Sequence, residues 1–221
     1  MNVLCIIQAR MKSTRLLGKI LLPVNGKPLL QYELERVAQS MRIGKIVIPT
    51  SDTPADDVVA AFAKKNGVAC FRGSEHDVLD RYYQCAQMYP DYDVIVRITG
   101  DCPLIDPRII DDVIAFFERS HVDYVSNVAK ETFPDGMDVE VFARAALEAS
   151  RRESTLPSER EHVTLYIRNH PELFRAVNFE SPENFGHVRL TVDEPVDFEV
   201  VRFLITHTSS TASWREYVAL L

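Results

Sequence analysis

Residues 3–19 read Val3-Leu4-Cys5-Ile6-Ile7-Gln8-Ala9-Arg10-Met11-Lys12-Ser13-Thr14-Arg15-Leu16-Leu17-Gly18-Lys19, an apolar run that passes directly into a basic loop. Five continuous apolar residues are typical of a strand that is buried on both faces, as in a parallel sheet. Five cations lie between residues 10 and 27, although the whole chain has a formal net charge of −7. Cations at the carboxyl end of a first strand lie where an α/β protein holds a polyanion. We therefore expect this loop to bind a nucleoside triphosphate.

The chain around this loop alternates short apolar runs with helical patterns. Strands are predicted over residues 45–49, 68–71, 93–98 and 123–126, and helices over residues 28–41, 54–66, 77–88 and 107–119. This β-α-β-α order predicts an α/β fold, a three-layer, mostly parallel sheet with helices on both faces, of the Rossmann-like kind. Ligands of such sheets collect beyond the carboxyl ends of the strands.

The later part of the chain is less regular. Residues 137–142 alternate apolar and acidic side chains, which predicts a half-exposed strand. Residues 188–192 are also predicted to form a strand, and residues 143–153, 158–169 and 195–206 to form helices. Because no linker or repeat interrupts the pattern, we expect a single domain over residues 1–221. A segment around residues 130–180 is expected to project from it, for dimerisation or acceptor binding.

Composition excludes several classes of protein. The chain has 221 residues, 46% of them hydrophobic and 26% charged, which is typical of a globular domain. A sequence pI of about 5.4 argues against a general nucleic-acid-binding protein. No apolar run is long enough for a membrane span, and no secretory signal is visible, so we expect a cytoplasmic protein without a membrane partner. The four cysteines show no C-x-x-C spacing and are expected to be reduced thiols: Cys5, Cys70, Cys85 and Cys102.

Two aspartates follow predicted strands and precede helices that begin with proline. Asp101 lies in Gly100-Asp101-Cys102-Pro103-Leu104-Ile105, and Asp193 ends Arg189-Leu190-Thr191-Val192-Asp193. Two such carboxylates can converge on Mg²⁺, which prefers oxygen ligands and usually keeps water and substrate phosphates. Taken singly, each feature has a plainer interpretation: a solvated surface turn for the basic loop, and a turn or helix cap for each aspartate. Their coincidence at strand ends favours the ligand site.

The basic loop and the two aspartate segments resemble the signature elements of the cytidylyltransferase family. The match is strongest to the spore coat polysaccharide protein F group, which is related to the synthetases of CMP-activated sugar acids. Segments 138–142 and 161–164 also resemble elements of that group. The sequence departs from the family pattern at Lys12, where glycine is usual, and at Leu17, where proline is usual.

The resemblance implies a fold like that of the nucleotide-diphospho-sugar transferases, and it implies roles for individual residues. Arg10, Arg15, Lys19 and Asp101 would be catalytic, and Asp101 and Asp193 would hold Mg²⁺. The acceptor candidates of the later half are Asp138, Glu140, Arg160 and His162, with Asp135 and Glu159 beside them, although His162 is equally explained as an ordinary helix residue. The nucleotide would contact Gln8, Ala9, Arg10, Ser13, Arg15, Lys19, Arg72, Gly73, Ser74, Thr99 and Asp101.

The implied activity is transfer of CMP from CTP to a sugar acid or phosphorylated sugar-like acceptor, with release of pyrophosphate, by a homodimer that serves surface polysaccharide biosynthesis. The alternative is a metal-dependent glycosyltransferase with a nucleotide-sugar donor, since Asp91-Tyr92-Asp93 matches a D-x-D pair, although it precedes a predicted strand. A non-enzymatic binding protein would need the basic loop but not the two aspartates. The motifs G-x-G-x-x-G and G-x-x-x-x-G-K-[ST] are absent, which argues against a dinucleotide-binding dehydrogenase and a P-loop kinase, respectively.

Overall fold

The computed structural model describes every residue from Met1 to Leu221 and contains nine strands and nine α-helices. The strands are β1 Val3–Gln8, β2 Pro23–Val24, β3 Lys27–Pro28, β4 Lys45–Ser51, β5 Ala69–Gly73, β6 Val94–Thr99, β7 Tyr124–Ser126, β8 Glu140–Ala143 and β9 Ala176–Asn178. The helices are α1 Leu29–Val37, α2 Asp57–Lys65, α3 Val78–Gln87, α4 Pro107–Ser120, α5 Arg144–Glu153, α6 Pro157–Glu161, α7 Leu165–Asn169, α8 Pro195–His207 and α9 Trp214–Val218. Single 3₁₀ turns cover Lys19–Leu21 and Pro54–Asp56.

Seven of the strands form one central sheet in the order β5-β4-β1-β6-β8-β7-β9. Strands β5, β4, β1 and β6 are mutually parallel, and β8 pairs antiparallel with both β6 and β7. The register of β1 against β6 runs from Val3 opposite Val94 to Gln8 opposite Thr99. The carboxyl ends of these two central strands therefore lie side by side.

The two faces of the sheet are covered by separate apolar clusters. In β1, Cys5 and Ile7 belong to one cluster and Leu4 and Ile6 to the other, as the alternation of a strand buried on both faces requires. Helices α1, α2, α4 and α8 contribute to the first cluster, and α3, α5 and α7 to the second. The predicted three-layer, mostly parallel α/β architecture is confirmed.

Strand β8 is buried, whereas the alternating pattern predicted a half-exposed strand. Glu140 is only 3% exposed, and its carboxylate pairs with Arg97 and accepts hydrogen bonds from Tyr124 Oη at 2.5 Å and Thr164 Oγ1 at 2.7 Å. The carboxylate of Glu140, which predicted a solvent-exposed face of the strand, is thus neutralised inside the protein. The half-exposed assignment was wrong because a buried ion pair and a solvated carboxylate look alike in sequence.

Residues 188–192 do not form the predicted strand. They lie extended beside another loop, with one bridge between Asp135 and Arg189 and a hydrogen bond from Leu190 N to Asp135 O at 2.7 Å. The helix predicted over residues 158–169 is interrupted and forms α6 and α7. The sequence reading also missed the short elements β9 and α9, and the hairpin β2–β3, which turns at Asn25 and Gly26 with positive φ at both residues.

Much of the segment from 130 to 180 packs against the sheet. Strand β8 pairs inside the sheet, and Tyr166 and Ile167 of α7 are buried in the second apolar cluster. Leu156 and Leu173 are exposed. A role of this segment in dimerisation stays a prediction. No helix of the chain has the length and apolar character that crossing a bilayer requires.

Candidate active site

A cavity of about 420 Å³ opens at the carboxyl ends of β1 and β6, where the basic loop begins. Thirteen of its fourteen lining residues are other than hydrophobic, which suits a polar, charged ligand rather than an apolar one. The lining residues are Gln8, Arg10, Lys12, Ser13, Thr14, Arg15, Lys19, Ile20, Glu75, His76, Thr99, Gly100, Asp101 and Asp193.

The basic loop is held at both of its ends. Gly18 has φ 67° and donates its N–H to Met11 O at 3.0 Å, and a Cβ on Gly18 would lie 3.0 Å from Met11 Cε. Met11 N donates to Asp56 Oδ1 at 2.7 Å, and the other carboxylate oxygen of Asp56 accepts from Ser51. Burial raises the pKa of Asp56, but these hydrogen bonds outweigh it and lower the pKa on balance. Asp56 therefore anchors the loop as a carboxylate.

The second aspartate-bearing turn approaches β1 closely at Gly100. A Cβ at this position would lie 2.9 Å from Gln8 O, to which Gly100 N donates at 2.8 Å, so a side chain here would force the two strand ends apart. Beneath the turn, the fully buried Glu33 accepts a hydrogen bond from Cys102 N at 3.1 Å. The turn thus presents Asp101 to the basic loop from a fixed backbone.

Lys19 brings the two aspartates together. Its ammonium lies 2.6 Å from Asp101 Oδ2 and 2.8 Å from Asp193 Oδ1. Burial lowers the pKa of Lys19, but the two carboxylates outweigh it and raise the pKa above its ordinary value. The backbones are tied as well, because Val192 N and Thr191 Oγ1 both donate to Asp101 O, at 2.9 and 3.1 Å. The structure therefore brings the two predicted aspartates together, on the Lys19 ammonium.

Asp193 is surrounded by cations rather than acting as a helix cap. Arg15 Nη2 lies 2.7 Å from Asp193 Oδ1, and Arg189 Nη2 lies 3.2 Å from Asp193 Oδ2. Burial raises the pKa of Asp193, but Lys19 and the two arginines lower it on balance. The residue that caps α8 is Glu194, in a capping box with Asp197. The capping interpretation of Asp193 is therefore wrong.

The remaining nucleotide candidates are distributed unevenly. Gln8, Arg10, Ser13 and Thr99 line the cavity, and the backbone of the buried Ala9 follows Gln8 at the strand end. The Arg72 guanidinium is turned away, bonded to Ser51 O and Thr53 O and paired with Asp57 at 2.6 Å.

Gly73 and Ser74 lie just before the cavity wall, which Glu75 and His76 form instead. Ser74 O accepts a hydrogen bond from the buried Arg81. The residues predicted from the sequence end at Ser74 and do not include Glu75 and His76. Asp56 and Glu33 were not predicted either, because no local pattern distinguishes them from capping or helix-surface residues.

A second cavity, of about 440 Å³, lies beside the first. Asp135, Asp138 and Arg189 line it, and Arg189 also contacts Asp193 of the first cavity and lies 2.6 Å from Asp135. Of the acceptor candidates, only Asp135 and Asp138 are found here.

The other acceptor candidates lie elsewhere. Glu140 is committed to its buried ion pair, and the pKa of Glu140 is lowered because Arg97, Tyr124 and Thr164 outweigh burial. Arg160 is paired with Asp77, and His162 is exposed at the end of α6. Neither Glu159 nor any of these three lines either cavity.

The D-x-D sequence lies at the opposite end of the sheet. Asp93 O accepts from Arg144 N at 2.8 Å, and Asp91 O accepts from the side chain of Asn2, at the start of β1. Both aspartates are exposed. The nucleotide-sugar glycosyltransferase alternative therefore loses the motif on which it depended.

A basic loop and two converging aspartates around a polar cavity, on a mostly parallel Rossmann-like sheet, point to a nucleotidyltransferase. The model of the family described as Cytidylyltransferase matches residues 4–207, so the chain belongs to the cytidylyltransferase family and is an enzyme of that class. The chain is 41% identical to the spore coat polysaccharide biosynthesis protein SpsF of Bacillus subtilis, over 92% of this chain and 86% of that protein.

Solved structures agree with this assignment. A cytidylyltransferase from Leptospira borgpetersenii superposes with a TM-score of 0.94 and 37% identity, over 100% of this chain and 93% of that one. A CMP:2-keto-3-deoxy-manno-octonic acid synthetase complexed with CTP superposes with a TM-score of 0.68 and 20% identity, over 93% of this chain and 99% of that one, which shows the shared fold. An 8-amino-3,8-dideoxy-manno-octulosonate cytidylyltransferase of Shewanella amazonensis is 35% identical, over 54% of this chain and 49% of that protein.

Proposed function

We propose that this enzyme transfers CMP from CTP to a sugar acid or phosphorylated sugar-like acceptor, with release of pyrophosphate, in surface polysaccharide biosynthesis. The observation that carries the proposal is the junction of Lys19 with Asp101 and Asp193 at the mouth of a basic cavity. The names of the relatives support it, because they include cytidylyltransferases of sugar acids and a polysaccharide biosynthesis protein.

Cations of the loop supply the chemistry that this reaction needs. When an acceptor oxygen attacks the α-phosphorus of CTP, negative charge grows on the departing pyrophosphate. Arg10, Arg15 and Lys19 line the cavity and would stabilise that charge where it develops, with Ser13 and the loop N–H groups as further donors. A phosphate acceptor already carries an anionic nucleophilic oxygen and needs no general base, whereas the hydroxyl of a sugar acid must give up its proton, to water or to a nearby carboxylate, as its bond to phosphorus forms.

Asp101 and Asp193 fit a divalent cation. Their carboxylates already face one cationic group from two sides, the Lys19 ammonium, at 2.6 and 2.8 Å. Two carboxylates are enough for Mg²⁺, which commonly completes its coordination with water and substrate phosphates. When bound, Mg²⁺ would neutralise phosphate charge. Its protein ligands would be these two aspartates.

The base and the acceptor would occupy opposite sides of this junction. Gln8 Oε1 is buried at the cavity without a hydrogen-bond partner and is available to a donor of the nucleotide. Cytosine would lie against Thr99 and against the main chain at the end of β5, at Gly73 and Ser74. The acceptor would enter the second cavity at Asp138. We further propose a cytoplasmic homodimer, as the family resemblance implies.

The decisive test is pyrophosphate release by the purified protein, with each of the four common nucleoside triphosphates and a panel of sugar acids and sugar phosphates. Release is expected with CTP, Mg²⁺ and one class of acceptor. Asp101→Asn should keep the fold and lower turnover by roughly 10²–10³-fold, as removal of one preorganised electrostatic partner does elsewhere. Asp91→Asn, which changes an exposed aspartate at the opposite end of the sheet, is the matched control. Release that is absent with every triphosphate and acceptor would overturn the proposal.

A further inference from the structure

Lys19 occupies the position at which the two aspartates meet. The residue is 8% exposed, and its ammonium contacts Asp101 Oδ2 and Asp193 Oδ1 at hydrogen-bond distance. Arg15 lies on the same oxygen of Asp193, at 2.7 Å. In the free protein, the carboxylate oxygens that suit a divalent cation are therefore already neutralised by side chains of the chain itself.

The two ligands need opposite partners of the same ion pairs. A divalent cation needs the carboxylate oxygens that Lys19 now contacts, and a triphosphate in the cavity needs the ammonium and the Arg15 guanidinium. An ammonium between two carboxylates repels an incoming cation by Coulomb interaction at short range. A polyanion acts in the opposite sense, because it attracts Lys19 and Arg15 and leaves the carboxylates without their counter-charge.

We propose that Lys19 is an internal counter-cation of the Asp101–Asp193 pair, so that the divalent-cation site becomes available only when a triphosphate draws the ammonium away. This inference rests on the proposed function, since it takes the triphosphate and the cation from it. The consequence is coupling: each ligand raises the affinity of the protein for the other by the same factor. The free enzyme is thereby protected from binding divalent cations without its nucleotide.

The backbone allows this exchange without a larger rearrangement. Asp101 O is fixed by Val192 N and Thr191 Oγ1, and Asp193 N donates to Asp197 Oδ2 at 2.9 Å. Neither set of bonds involves Lys19, so the main chain at both aspartates stays tied when the ammonium moves. Arg189 still contacts the other carboxylate oxygen of Asp193, so that carboxylate keeps one cationic partner after Lys19 has moved.

The test is Mn²⁺ binding to the nucleotide-free protein, measured by the electron paramagnetic resonance signal of the free ion. Lys19→Gln removes the charge and keeps a polar side chain of similar reach. It is expected to bind Mn²⁺ roughly tenfold or more tightly than the wild type, because one unit charge beside both carboxylates is lost. Lys12→Gln is the matched control, since Lys12 lines the same cavity but pairs with Glu75 at 2.8 Å. Lys19→Arg retains the charge and should bind as weakly as the wild type.

Equal Mn²⁺ affinities of Lys19→Gln and Lys12→Gln would overturn the inference. Should Lys19→Gln fail to fold, the wild type still decides: Mg²⁺ alone should not raise the free energy of unfolding of the nucleotide-free enzyme, and a clear increase would contradict the inference. Metal-dependent pyrophosphate release together with tight Mn²⁺ binding by the free wild type would refute the counter-cation role and leave the proposed function standing. Absence of any metal-dependent release would instead remove the proposed function.

Discussion

Replacement of Asp138 by asparagine should stabilise the protein at pH 8 and leave its stability almost unchanged at low pH. Burial raises the pKa of Asp138 to about 7, and the nearby carboxylates Asp135, Glu140, Asp101 and Glu131 add to the effect. In the unfolded chain the group titrates near 3.8. The native state therefore holds a proton that the unfolded state has lost, and stability falls as the pH rises from about 4 to about 7.

The magnitude follows from the shift. About three pKa units at about 1.36 kcal/mol each give an upper limit of about 4 kcal/mol for the cost of ionising Asp138 in the native protein. Asparagine has nearly the same shape and carries no charge, so it removes this cost. At acid pH the aspartic acid is neutral as well, and the two proteins should unfold at nearly the same urea concentration.

The assay is urea unfolding of both proteins between pH 4 and pH 8, without nucleotide. The difference in the free energy of unfolding should grow steadily from pH 4 and level off above about pH 7. Asp91→Asn, at an exposed position without an ion pair, should give a difference that does not depend on pH in this way. A difference between Asp138→Asn and the wild type that is constant across the range would refute the reasoning.

Three further substitutions test the site and its support. Asp56→Ala removes the acceptor of Met11 N and should raise the KM for CTP in steady-state assays and cost about 1–3 kcal/mol in urea unfolding. Glu140→Gln leaves the half-buried Arg97 without its carboxylate and should lower the free energy of unfolding, by at most roughly 3–5 kcal/mol; a cost below 1 kcal/mol would contradict a stabilising ion pair. Arg72→Ala should leave CTP affinity, measured by calorimetry, within about threefold, because an exposed guanidinium turned from the cavity contributes little.

The parts of the site that follow from local chemistry could be predicted from the sequence. A buried strand followed by clustered cations indicates a polyanion site, and an aspartate directly after a strand is placed at the same edge of a parallel sheet. This is why the basic loop and Asp101 could be placed at one edge of the sheet, whereas Asp193 follows a loop and not the strand that the pattern predicted. Their mutual contacts were not predictable in detail, because Lys19 meets partners 82 and 174 positions away.

The predictions from the sequence were wrong where the same alternation of apolar and polar residues occurs in two different environments. Leu190 and Val192 are buried and alternate with polar residues like a strand, yet they lie in a loop whose single β-bridge joins Arg189 to Asp135. Glu140 alternates with apolar residues like an exposed position, yet it is paired with Arg97 in the interior. Periodicity reports which side chains are buried, and it does not report which partner buries them. Arg160 and His162 were assigned to the acceptor by resemblance, and tertiary contacts place both away from the two cavities.

The hydrogen bonds that Thr191 and Val192 donate to Asp101 O determine when, during synthesis of the chain, the site can be completed. Thr191 and Asp101 are 90 positions apart, so a ribosome that has just completed the Asp101 turn must synthesise every element from α4 to β9 before the second aspartate exists. Until residues 189–193 have been made, Lys19 has only one of its two carboxylate partners. Because the proposed reaction uses both aspartates, competence for turnover should arise only when residues 189–193 dock, and chains that end before Asp193 should release no pyrophosphate.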